Sequence, residues 1–543
     1  MADLDPLPLD GFVPYPAETA ARYREAGYWI DQTLPEPLFA TVARVPGKTA
    51  IVAGETSLTY AELGDRILRI AAGLRHLGVG RGDRAVVHLP NIPEFIAFVY
   101  AFWEIGAIPV FAPAAHRRTE IEHFVSVTDA RVYVTVARHD GADLAALAAE
   151  LKATWPSLEH TVVLDADGGG ADLDRLLAHD PLPHERRSLP GDVALLQLSG
   201  GTTGRPKMIP HTSETYLHSV RASIPLCGIT EASVQLTAVP ICHSMSVRSP
   251  GFLSVLSVGG TVVLAHDGSP DTVFPLIQRH RVTQSSIVPP LLLAWLNSSL
   301  KDRYDLSSLE SLHVGGARLS IEAARRVRPE LGVILQQGFG MAEGLVNYNR
   351  FDVDEETSVR CQGRPISPGD ELLVVDDGGR PVPPGVPGHL LTRGPSTIRG
   401  YFRNPEENAR SFTPDGFYRT GDIIELGENG YLAVVGRSKD QINRGGEKVA
   451  PEEVENLILG HEGVHDASVI GIPDAILGER VKAFVIPRAE ADPATLKLPS
   501  IRKYLRDQGL ASYKLPDALE VVAEFPQTAV GKVSKRLQRV RQN

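Results

Sequence analysis

The sequence predicts an α/β fold with a large N-terminal region of several subdomains and a small α+β domain at the C-terminus. Short apolar strands alternate with amphipathic helices through the first two-thirds of the chain, which is typical of mixed, largely parallel sheets flanked by helices. Beyond residue 363, turn-rich segments separate short strands, which favours a small β-rich subdomain. With 543 residues, the chain is long enough for more than one domain.

The first elements alternate in the order that such sheets require. Residues 57–63 hold an N-cap candidate before an apolar-periodic run that continues to Leu77, which predicts a helix. Residues 84–89 indicate a buried strand, residues 95–105 a helix and residues 108–111 another strand. Glycines 168–170 indicate a surface loop and residues 181–183 a connector.

The later elements are shorter and are separated by more turns. A strand at 371–375 lies among Gly-, Asp- and Pro-rich turns, and the β-rich subdomain is expected at about 363–436. A helix at 454–459 and strands at 467–470 and 481–486 indicate the α+β domain. We therefore predict a large domain over residues 1–439 and a small domain over residues 440–543.

Composition excludes several classes of protein. Apolar residues make up 43% of the chain and charged residues 22%, as in globular proteins, so extensive disorder is excluded. The net charge of −11 argues against duplex nucleic-acid binding, although a local basic groove stays open. Three widely spaced cysteines indicate a reducing compartment, and no apolar run is long enough for a membrane helix. We expect a soluble cytoplasmic protein with neither nucleic acid nor membrane as a partner.

A Gly- and Thr-rich segment follows the apolar strand 193–196. Glycines let backbone N–H groups approach anionic oxygens closely, hydroxyls add donors and a lysine adds charge. The segment is not a Walker A loop, because the Gly-Lys-Ser/Thr sequence is missing. A surface loop is the alternative, but the position directly after a buried strand favours a phosphate cradle. Its candidate ligands are Ser199, Gly200, Gly201, Thr202, Thr203, Gly204 and Lys207.

At this point the chain resembles the adenylate-forming superfamily of acyl-CoA synthetases, luciferases and nonribosomal peptide adenylation domains. It resembles most the stand-alone aryl-acid–AMP ligases of the 2,3-dihydroxybenzoate and salicylate type. The resemblance covers nearly the whole chain. Besides the Gly/Thr segment, it is carried by the motifs at residues 11–16, 22–29, 338–344, 418–422, 436–442, 443–448 and 531–535.

The resemblance implies two half-reactions, with ATP and Mg²⁺ as cofactors. A carboxylate attacks the α-phosphate of ATP and releases pyrophosphate, and a thiol then displaces AMP. Glu343 would hold Mg²⁺, since hard cations take oxygen ligands. The position before it is commonly Thr in the superfamily and Ala in the aryl-acid subgroup, and here it is Ala342. Other implied nucleotide contacts are Gly315, Gly316 and Ala317 at the adenine edge, Phe339 and Gly340 at the adenine ring, Asp422 at the ribose, and Arg437.

Lys532 is the expected catalytic cation of the first half-reaction, because an ammonium on a long stem can reach both the carboxylate and the α-phosphate. The resemblance implies that the small α+β domain is mobile, with its hinge at Asp440, and that Gly446 would leave room for a phosphopantetheine arm. The implied acceptor is a separate carrier protein in siderophore or nonribosomal-peptide biosynthesis, and free coenzyme A is the alternative. An inactive binding protein is a third interpretation, which the presence of Lys532, Glu343 and Asp422 disfavours.

The resemblance implies that the acid pocket lies around residues 241–251, with His243 near the substrate carboxylate. Amino-acid-activating relatives have an Asp in this stretch, and its absence here disfavours an α-amino acid. Ser244 and Gly338 are smaller than the residues usual in relatives, which predicts an acid bulkier than 2,3-dihydroxybenzoate, such as a quinaldate, a quinoxaline carboxylate or a substituted benzoate. Alternatively, neighbouring side chains fill the space. The full set of expected pocket residues is His243, Ser244, Met245, Ser249, Gly315, Gly338 and Val346.

Residues 461–465 match the H-E-x-x-H zinc pattern. That pattern binds zinc only within a helix, where both histidines share one face. Here it falls between a predicted helix and a predicted strand and contains Gly463. We interpret it as a helix-to-strand connection and not as a metallopeptidase site.

Overall fold

The computed structural model describes residues 4–199, 206–248, 250–444, 447–474, 477–528 and 532–540. Within these ranges the chain forms a mixed α/β fold, as predicted. The two largest sheets belong to the N-terminal region, and each is mostly parallel. The helices of this region that precede residue 200 are Ala17–Glu25, Glu36–Arg44, Tyr60–His76, Pro93–Glu104, Arg118–Thr128, Leu144–Thr154 and Ala171–Leu177. Those that follow residue 205 are Ser213–Leu226, Ser244–Val247, Phe252–Val258, Pro270–His280, Pro289–Asn297, Ile321–Leu331, Glu355–Arg360 and Pro405–Ser411.

The six-stranded sheet carries the expected phosphate segment at its edge. Its strands lie in the order Met208–Thr212, Val193–Leu198, Ile108–Phe111, Arg84–His88, Val132–Val136 and His160–Leu164. The helix predicted after residue 57 is Tyr60–His76, which precedes the sheet's first strand in the chain. It begins after the N-cap residue Thr59, which exchanges hydrogen bonds with Glu62. Helix Pro93–Glu104 is buried on every side, which explains its almost continuous apolar sequence.

The nine-stranded sheet presents the carboxyl ends of its central strands to the candidate site. Parallel strands of this kind place the residues that follow them along one edge. The order is Arg364–Pro365, Val346–Tyr348, Ile334–Gly340, Ser311–Val314, Gln284–Ile287, Val234–Thr237, Thr261–Leu264, Thr49–Ala53 and Thr56–Thr59.

The predicted β-rich region is an antiparallel sheet of the strands Glu371–Val375, Gly388–Arg393, Tyr418–Leu426 and Leu432–Arg437. The next sheet begins at Ile442 and consists of Ile442–Arg444, Glu447–Val449, Val464–Asp474, Gly478–Pro487 and Ala518–Val521. Helices Pro451–Leu459, Leu498–Asp507 and Lys535–Val540 accompany it, and it has an apolar core of its own. The predicted domain boundary at 439/440 falls between the two sheets and stays a prediction.

Ion pairs connect the segment around the expected hinge to the last helix. An Arg539 nitrogen lies 3.1 Å from an Asp440 oxygen, and Lys535 Nζ lies 2.8 Å from a Glu455 oxygen. Glu452 lies against Gly436, since a Cβ at position 436 would be 2.6 Å from its carboxylate. The end of the chain is thereby held close to Arg437, the last residue of the β-rich sheet.

The H-E-x-x-H match lies outside any helix. His461 follows helix Pro451–Leu459, so the motif begins in the predicted helix-to-strand connection, but the strand begins at Val464, earlier than predicted, and includes His465. His461 packs edge-on against Tyr504, and His465 Nδ1 is 3.1 Å from the Asn297 amide nitrogen. Separately, no helix among the described residues is long and apolar enough to cross a membrane.

Candidate active site

The two ends of the expected phosphate loop are joined by the antiparallel pairing of the strands that flank it. The Ser199 N–H donates to the Lys207 carbonyl at 3.0 Å, and the Lys207 N–H donates to Ser199 Oγ at 3.0 Å. The Lys207 ammonium lies 2.8 Å from Glu407 and 4.2 Å from the centre of the Tyr401 ring. The other predicted loop ligands, Gly200, Gly201, Thr202, Thr203 and Gly204, lie outside the described residues.

A glycine turn follows strand Ser311–Val314 of the nine-stranded sheet. The Gly315 N–H donates to the Ile287 carbonyl at 3.2 Å, and Gly316 has a φ of +84°. A Cβ at position 316 would lie 3.0 Å from Lys532 Cε and 3.5 Å from its Nζ. The turn at 315–317, which was predicted to read the adenine edge, is therefore in direct contact with the predicted catalytic lysine.

Glu343 lies in the tight turn between strands Ile334–Gly340 and Val346–Tyr348. The side chain is buried, and its Oε1 accepts a hydrogen bond of 2.8 Å from the Tyr401 hydroxyl. The Tyr401 oxygen is also 2.9 Å from that of Tyr418. Burial and the nearby Glu343 charge raise the pKa of Tyr401, so this phenol stays protonated and is a permanent donor to the carboxylate.

Asp422 and Arg437 lie directly opposite each other on neighbouring strands of the β-rich sheet. Arg437 Nε is 2.8 Å from Asp422 Oδ1, and the Asp422 N–H donates to Thr420 Oγ1 at 3.0 Å. Burial raises the pKa of Asp422, while Arg437 opposes that rise. The Asp422 charge in turn raises the pKa of Arg437. The pair places an oriented carboxylate at the edge of the site.

Lys532 brings the small domain into this group of residues. Its side chain lies against the glycine turn at Gly316, and its backbone N–H donates to Thr528 Oγ1 at 3.2 Å. Burial and the Arg437 charge lower the pKa of Lys532 to about 8, and Asp422 and Glu343 oppose that fall. The ammonium therefore stands among charges contributed by three other segments of the chain.

His243 caps the short helix Ser244–Val247. Its Nδ1 accepts a hydrogen bond of 3.3 Å from the Met245 N–H, which leaves the ring proton on Nε2. Burial and the charges of Lys532 and Arg248 lower the pKa of His243 to about 3. His243 is therefore a neutral donor near Lys532. Ser244 is half-buried on the same helix, and Ser249 lies outside the described residues.

The adenine-ring candidate Phe339 lies in strand Ile334–Gly340, where its partly buried side chain packs against the apolar cluster of the β-rich sheet. Its N–H donates to the Gln362 carbonyl at 3.0 Å. Gly340 pairs with Val346 across the two strands, and Val346 is buried. The ring of Phe339 thus has a core contact, and its role at the nucleotide stays a prediction.

Comparison with known proteins decides the family. The sequence profile described as "AMP-binding enzyme" matches residues 38–402, and the profile "AMP-binding enzyme C-terminal domain" matches residues 453–532. The chain belongs to the AMP-binding enzyme family. It is an ATP-dependent acid–AMP ligase of the adenylate-forming superfamily, and the sequence resemblance is confirmed.

Similar proteins and structures agree with this assignment. A 2,3-dihydroxybenzoate-AMP ligase from Bacillus subtilis is 48% identical over 97% of each chain. Pyochelin synthase PchD from Pseudomonas aeruginosa is 47% identical over 98% of this chain and 96% of its own. The apo structure of MbtA from Mycobacterium smegmatis has a TM-score of 0.74 at 40% identity, with 98% and 99% coverage of this chain and its own. The anthranilate CoA ligase AuaEII, solved with anthranoyl-AMP, has a TM-score of 0.85 at 25% identity, with 94% and 97% coverage.

Within this AMP-binding enzyme, the space beside Gly338 is not open. A Cβ at position 338 would lie 2.9 Å from the ring of Tyr348, which pairs with Gly338 on the neighbouring strand. A Cβ at position 315 would lie 3.1 Å from Met245 Cε. A neighbouring side chain therefore lies against each of these glycines, which favours the alternative interpretation, and the size of the acid that the pocket admits stays a prediction. The physical reason is close packing, since a small residue in a sheet admits its neighbour's ring.

Three residues of the site were not found from the sequence. Tyr401 binds Glu343, while Arg248 and His211 donate to backbone carbonyls of the turn that carries Glu343. Each is distant in sequence from its partner. The available signal was a polar residue in an apolar setting, namely His211 in the buried strand Met208–Thr212.

Proposed function

We propose that this enzyme activates an aromatic carboxylic acid with MgATP and transfers the acyl group to the phosphopantetheine thiol of a separate carrier protein, in siderophore or nonribosomal-peptide biosynthesis. The observation that supports it most is the position of Lys532 among Gly316, Glu343, Asp422 and Arg437. These residues match the motifs that would bind the nucleotide. The 48% identity with a 2,3-dihydroxybenzoate-AMP ligase supports an aryl acid as substrate.

In the first half-reaction, a carboxylate oxygen of the acid bonds to the α-phosphorus of ATP, and the bond to pyrophosphate breaks. The Lys532 ammonium would stabilise the charge that the two reacting anions share. Asp422 would accept hydrogen bonds from the ribose hydroxyls, and Ser199 and Lys207 would contribute to the phosphate cradle. Fixed donors of this kind accelerate the reaction by holding the reactants in place.

The donor set fits a magnesium ion. Glu343 offers a buried carboxylate oriented by Tyr401, and Mg²⁺ prefers such oxygen ligands. When bound, the ion would neutralise phosphate charge. His243, as a neutral Nε2 donor, would hold the substrate carboxylate without the strong ion pair that would weaken its attack.

For the acid itself we propose a single-ring benzoate. In support of this proposal, the Tyr348 ring lies beside Gly338 and Met245 Cε lies beside Gly315, which reduces the room for a second ring. A pyrophosphate-exchange panel should compare salicylate and 2,3-dihydroxybenzoate with quinaldate and quinoxaline carboxylate. Preference for a bicyclic acid would contradict the single-ring proposal.

The catalytic assignment predicts a division between the half-reactions. Lys532→Ala should abolish pyrophosphate exchange but still form thioester from supplied acyl-adenylate. Lys503→Ala is the matched control, because Lys503 is an exposed lysine of the same domain, 2.6 Å from Asp507. Equal loss of both half-reactions in Lys532→Ala would show that Lys532 does not act in adenylation alone.

The acceptor needs its own experiment. The hinge at Asp440 and the arm path at Gly446 are part of the proposal, and Gly446 lies outside the described residues. Thioester formation should be faster with a phosphopantetheinylated carrier protein than with free coenzyme A. The reverse order would support an aryl-CoA synthetase. A cytoplasmic location is part of the same proposal and suits three cysteines, Cys227, Cys242 and Cys361, that lie far apart in the sequence.

A further inference from the structure

The turn that carries Glu343 is bound by two buried side chains from distant parts of the chain. Arg248 Nη2 donates to the Met341 carbonyl at 3.0 Å, and its Nη1 donates to the Gly344 carbonyl at 3.2 Å. His211 Nε2 lies 2.7 Å from the Ala342 carbonyl, which can only accept, so the ring donates. Three carbonyls around one carboxylate are therefore bound by only two side chains.

The burial of Arg248 indicates a specific role. It is 4% exposed, and burying a guanidinium is costly unless its donors are used. Across the parts of the chain that the structure describes, no carboxylate lies within ion-pair distance of Arg248. Its guanidinium binds the two carbonyls and lies 5.2 Å from the ring centre of Tyr216. From further away, its charge opposes the rise that burial causes in the pKa of Asp370. A side chain that served only to fill volume would not need a charge there.

The turn itself has little freedom. Gly344 has a φ of +141°, and a Cβ at this position would lie 2.1 Å from the Ser396 carbonyl oxygen. The Tyr401 hydroxyl donates a hydrogen bond to the Glu343 carboxylate. The backbone of the turn, its packing and its side chain are thus each held by a different segment.

Arg248 also connects two parts of the site. It directly follows the short helix Ser244–Val247 that His243 caps, so its own segment borders the expected acid pocket. Its guanidinium reaches the turn of Glu343, 93 residues further along the chain. One side chain therefore joins the acid-binding segment to the metal-binding turn.

We propose that Arg248 and His211 are positioning residues that hold the Glu343 carboxylate where the metal–nucleotide complex binds. This inference rests on the proposed function. Neither residue touches the reacting atoms; each acts through the backbone of the turn. Loss of their donors lets the turn relax and moves the carboxylate, which weakens the binding of MgATP and leaves the binding of metal-free ATP unchanged.

The test compares each residue with a variant that keeps a donor. Arg248→Met removes both hydrogen bonds, and Arg248→Lys keeps one. His211→Leu removes the donor, and His211→Gln keeps an amide N–H of similar reach. Each lost donor should weaken MgATP binding by about 10-fold, given the typical strength of a buried hydrogen bond. Calorimetry with MgATP, and with ATP plus a chelator, measures both affinities without relying on turnover.

Arg84→Met is the matched control. Arg84 also donates to backbone carbonyls, of Thr128 at 2.6 Å and Gly82 at 2.9 Å, but in the six-stranded sheet away from the turn of Glu343. It should lower the melting temperature without changing the ratio of the two affinities. Arg248→Met and His211→Leu should each lower the ratio of the affinity for MgATP to the affinity for metal-free ATP. The variants that keep a donor, Arg248→Lys and His211→Gln, should lower this ratio less.

Several results would overturn the inference. A folded Arg248→Met and His211→Leu with the native ratio of MgATP to ATP affinity would show that neither residue positions Glu343. If Arg248→Met does not fold, the His211→Leu and His211→Gln pair decides. If the native enzyme exchanges no pyrophosphate with any acid, the proposed function is wrong. If the native enzyme exchanges pyrophosphate normally and the variants keep the native ratio of MgATP to ATP affinity, only the positioning role is wrong.

Discussion

Replacing Gly316 by alanine should impair adenylation by displacing Lys532. The new Cβ would lie 3.0 Å from Lys532 Cε and 3.5 Å from its Nζ, whereas carbon atoms in contact prefer about 3.5–4.0 Å. The lysine stem must therefore move by at least about 0.5 Å, and the ammonium at its end moves with it. A misplacement of about 1 Å at a reacting centre can cost about 100-fold in rate.

The backbone contributes a separate effect. At a φ of +84°, an alanine costs about 1–2 kcal/mol relative to glycine. This strain lowers stability and need not affect catalysis. Gly332→Ala separates the two effects, because Gly332 has a φ of +72° but an alanine Cβ there would meet no heavy atom within 4 Å. Both variants should lose similar unfolding free energy, and Gly316→Ala alone should lose activity.

Pyrophosphate exchange is the assay. We expect kcat/KM for ATP to fall by about 10- to 100-fold in Gly316→Ala, equivalent to about 1.4–2.7 kcal/mol, and to stay near native in Gly332→Ala. In a Lys532→Ala background, Gly316→Ala should cause almost no further loss. Equal activity of the two glycine variants would refute the reasoning, as would the same loss with and without Lys532.

Three other perturbations test the charges and packing of the site. The kcat/KM for ATP should fall about tenfold per pH unit above pH 8, because the lowered pKa of Lys532 leaves less ammonium at high pH. Lys532→Arg should abolish this fall at high pH. If the fall is unchanged in Lys532→Arg, another group causes it. Asp422→Asn should raise the KM for ATP by about 10-fold with little change in the KM for the acid, since it removes an acceptor and the charged partner of Arg437. Equal increases in the two KM values would contradict the ribose role of Asp422. Gly338→Ala should lower the unfolding free energy by about 1–3 kcal/mol, because its Cβ would lie 2.9 Å from Tyr348. A second substitution, Tyr348→Leu, should remove part of this destabilisation. Unchanged stability of Gly338→Ala would show that the space beside Gly338 is open.

The sequence predicted most of the fold because the relevant signals are local. The cap at Thr59 and the apolar periodicity after it define helix Tyr60–His76 within a short stretch of chain. Strands Arg84–His88 and Ile108–Phe111 were predicted from continuous apolar runs. The order in which these strands pair could not be derived in the same way, since it depends on contacts between distant segments.

The site shows the same division. Lys532, Glu343 and Asp422 lie in sequence motifs, so they could be selected as candidates before any geometry was known. Tyr401 lies 58 residues from Glu343, in no motif that points to it, and only folding brings its hydroxyl to the carboxylate. The position of the Tyr348 ring beside Gly338 could not be predicted for a related reason, because a glycine specifies which side chain is absent and not which neighbour takes its place.

The sequence by itself determined the local elements, the family motifs and the chemical types available for binding a nucleotide and an acid. The tertiary structure decided which of them meet: the Lys532 stem against Gly316, the Tyr348 ring beside Gly338, and Arg248 on the carbonyls around Glu343. The physical reason is range. Periodicity, capping and turn preferences act over a few residues, whereas hydrogen bonds and packing between segments 93 residues apart depend on how whole sheets are placed.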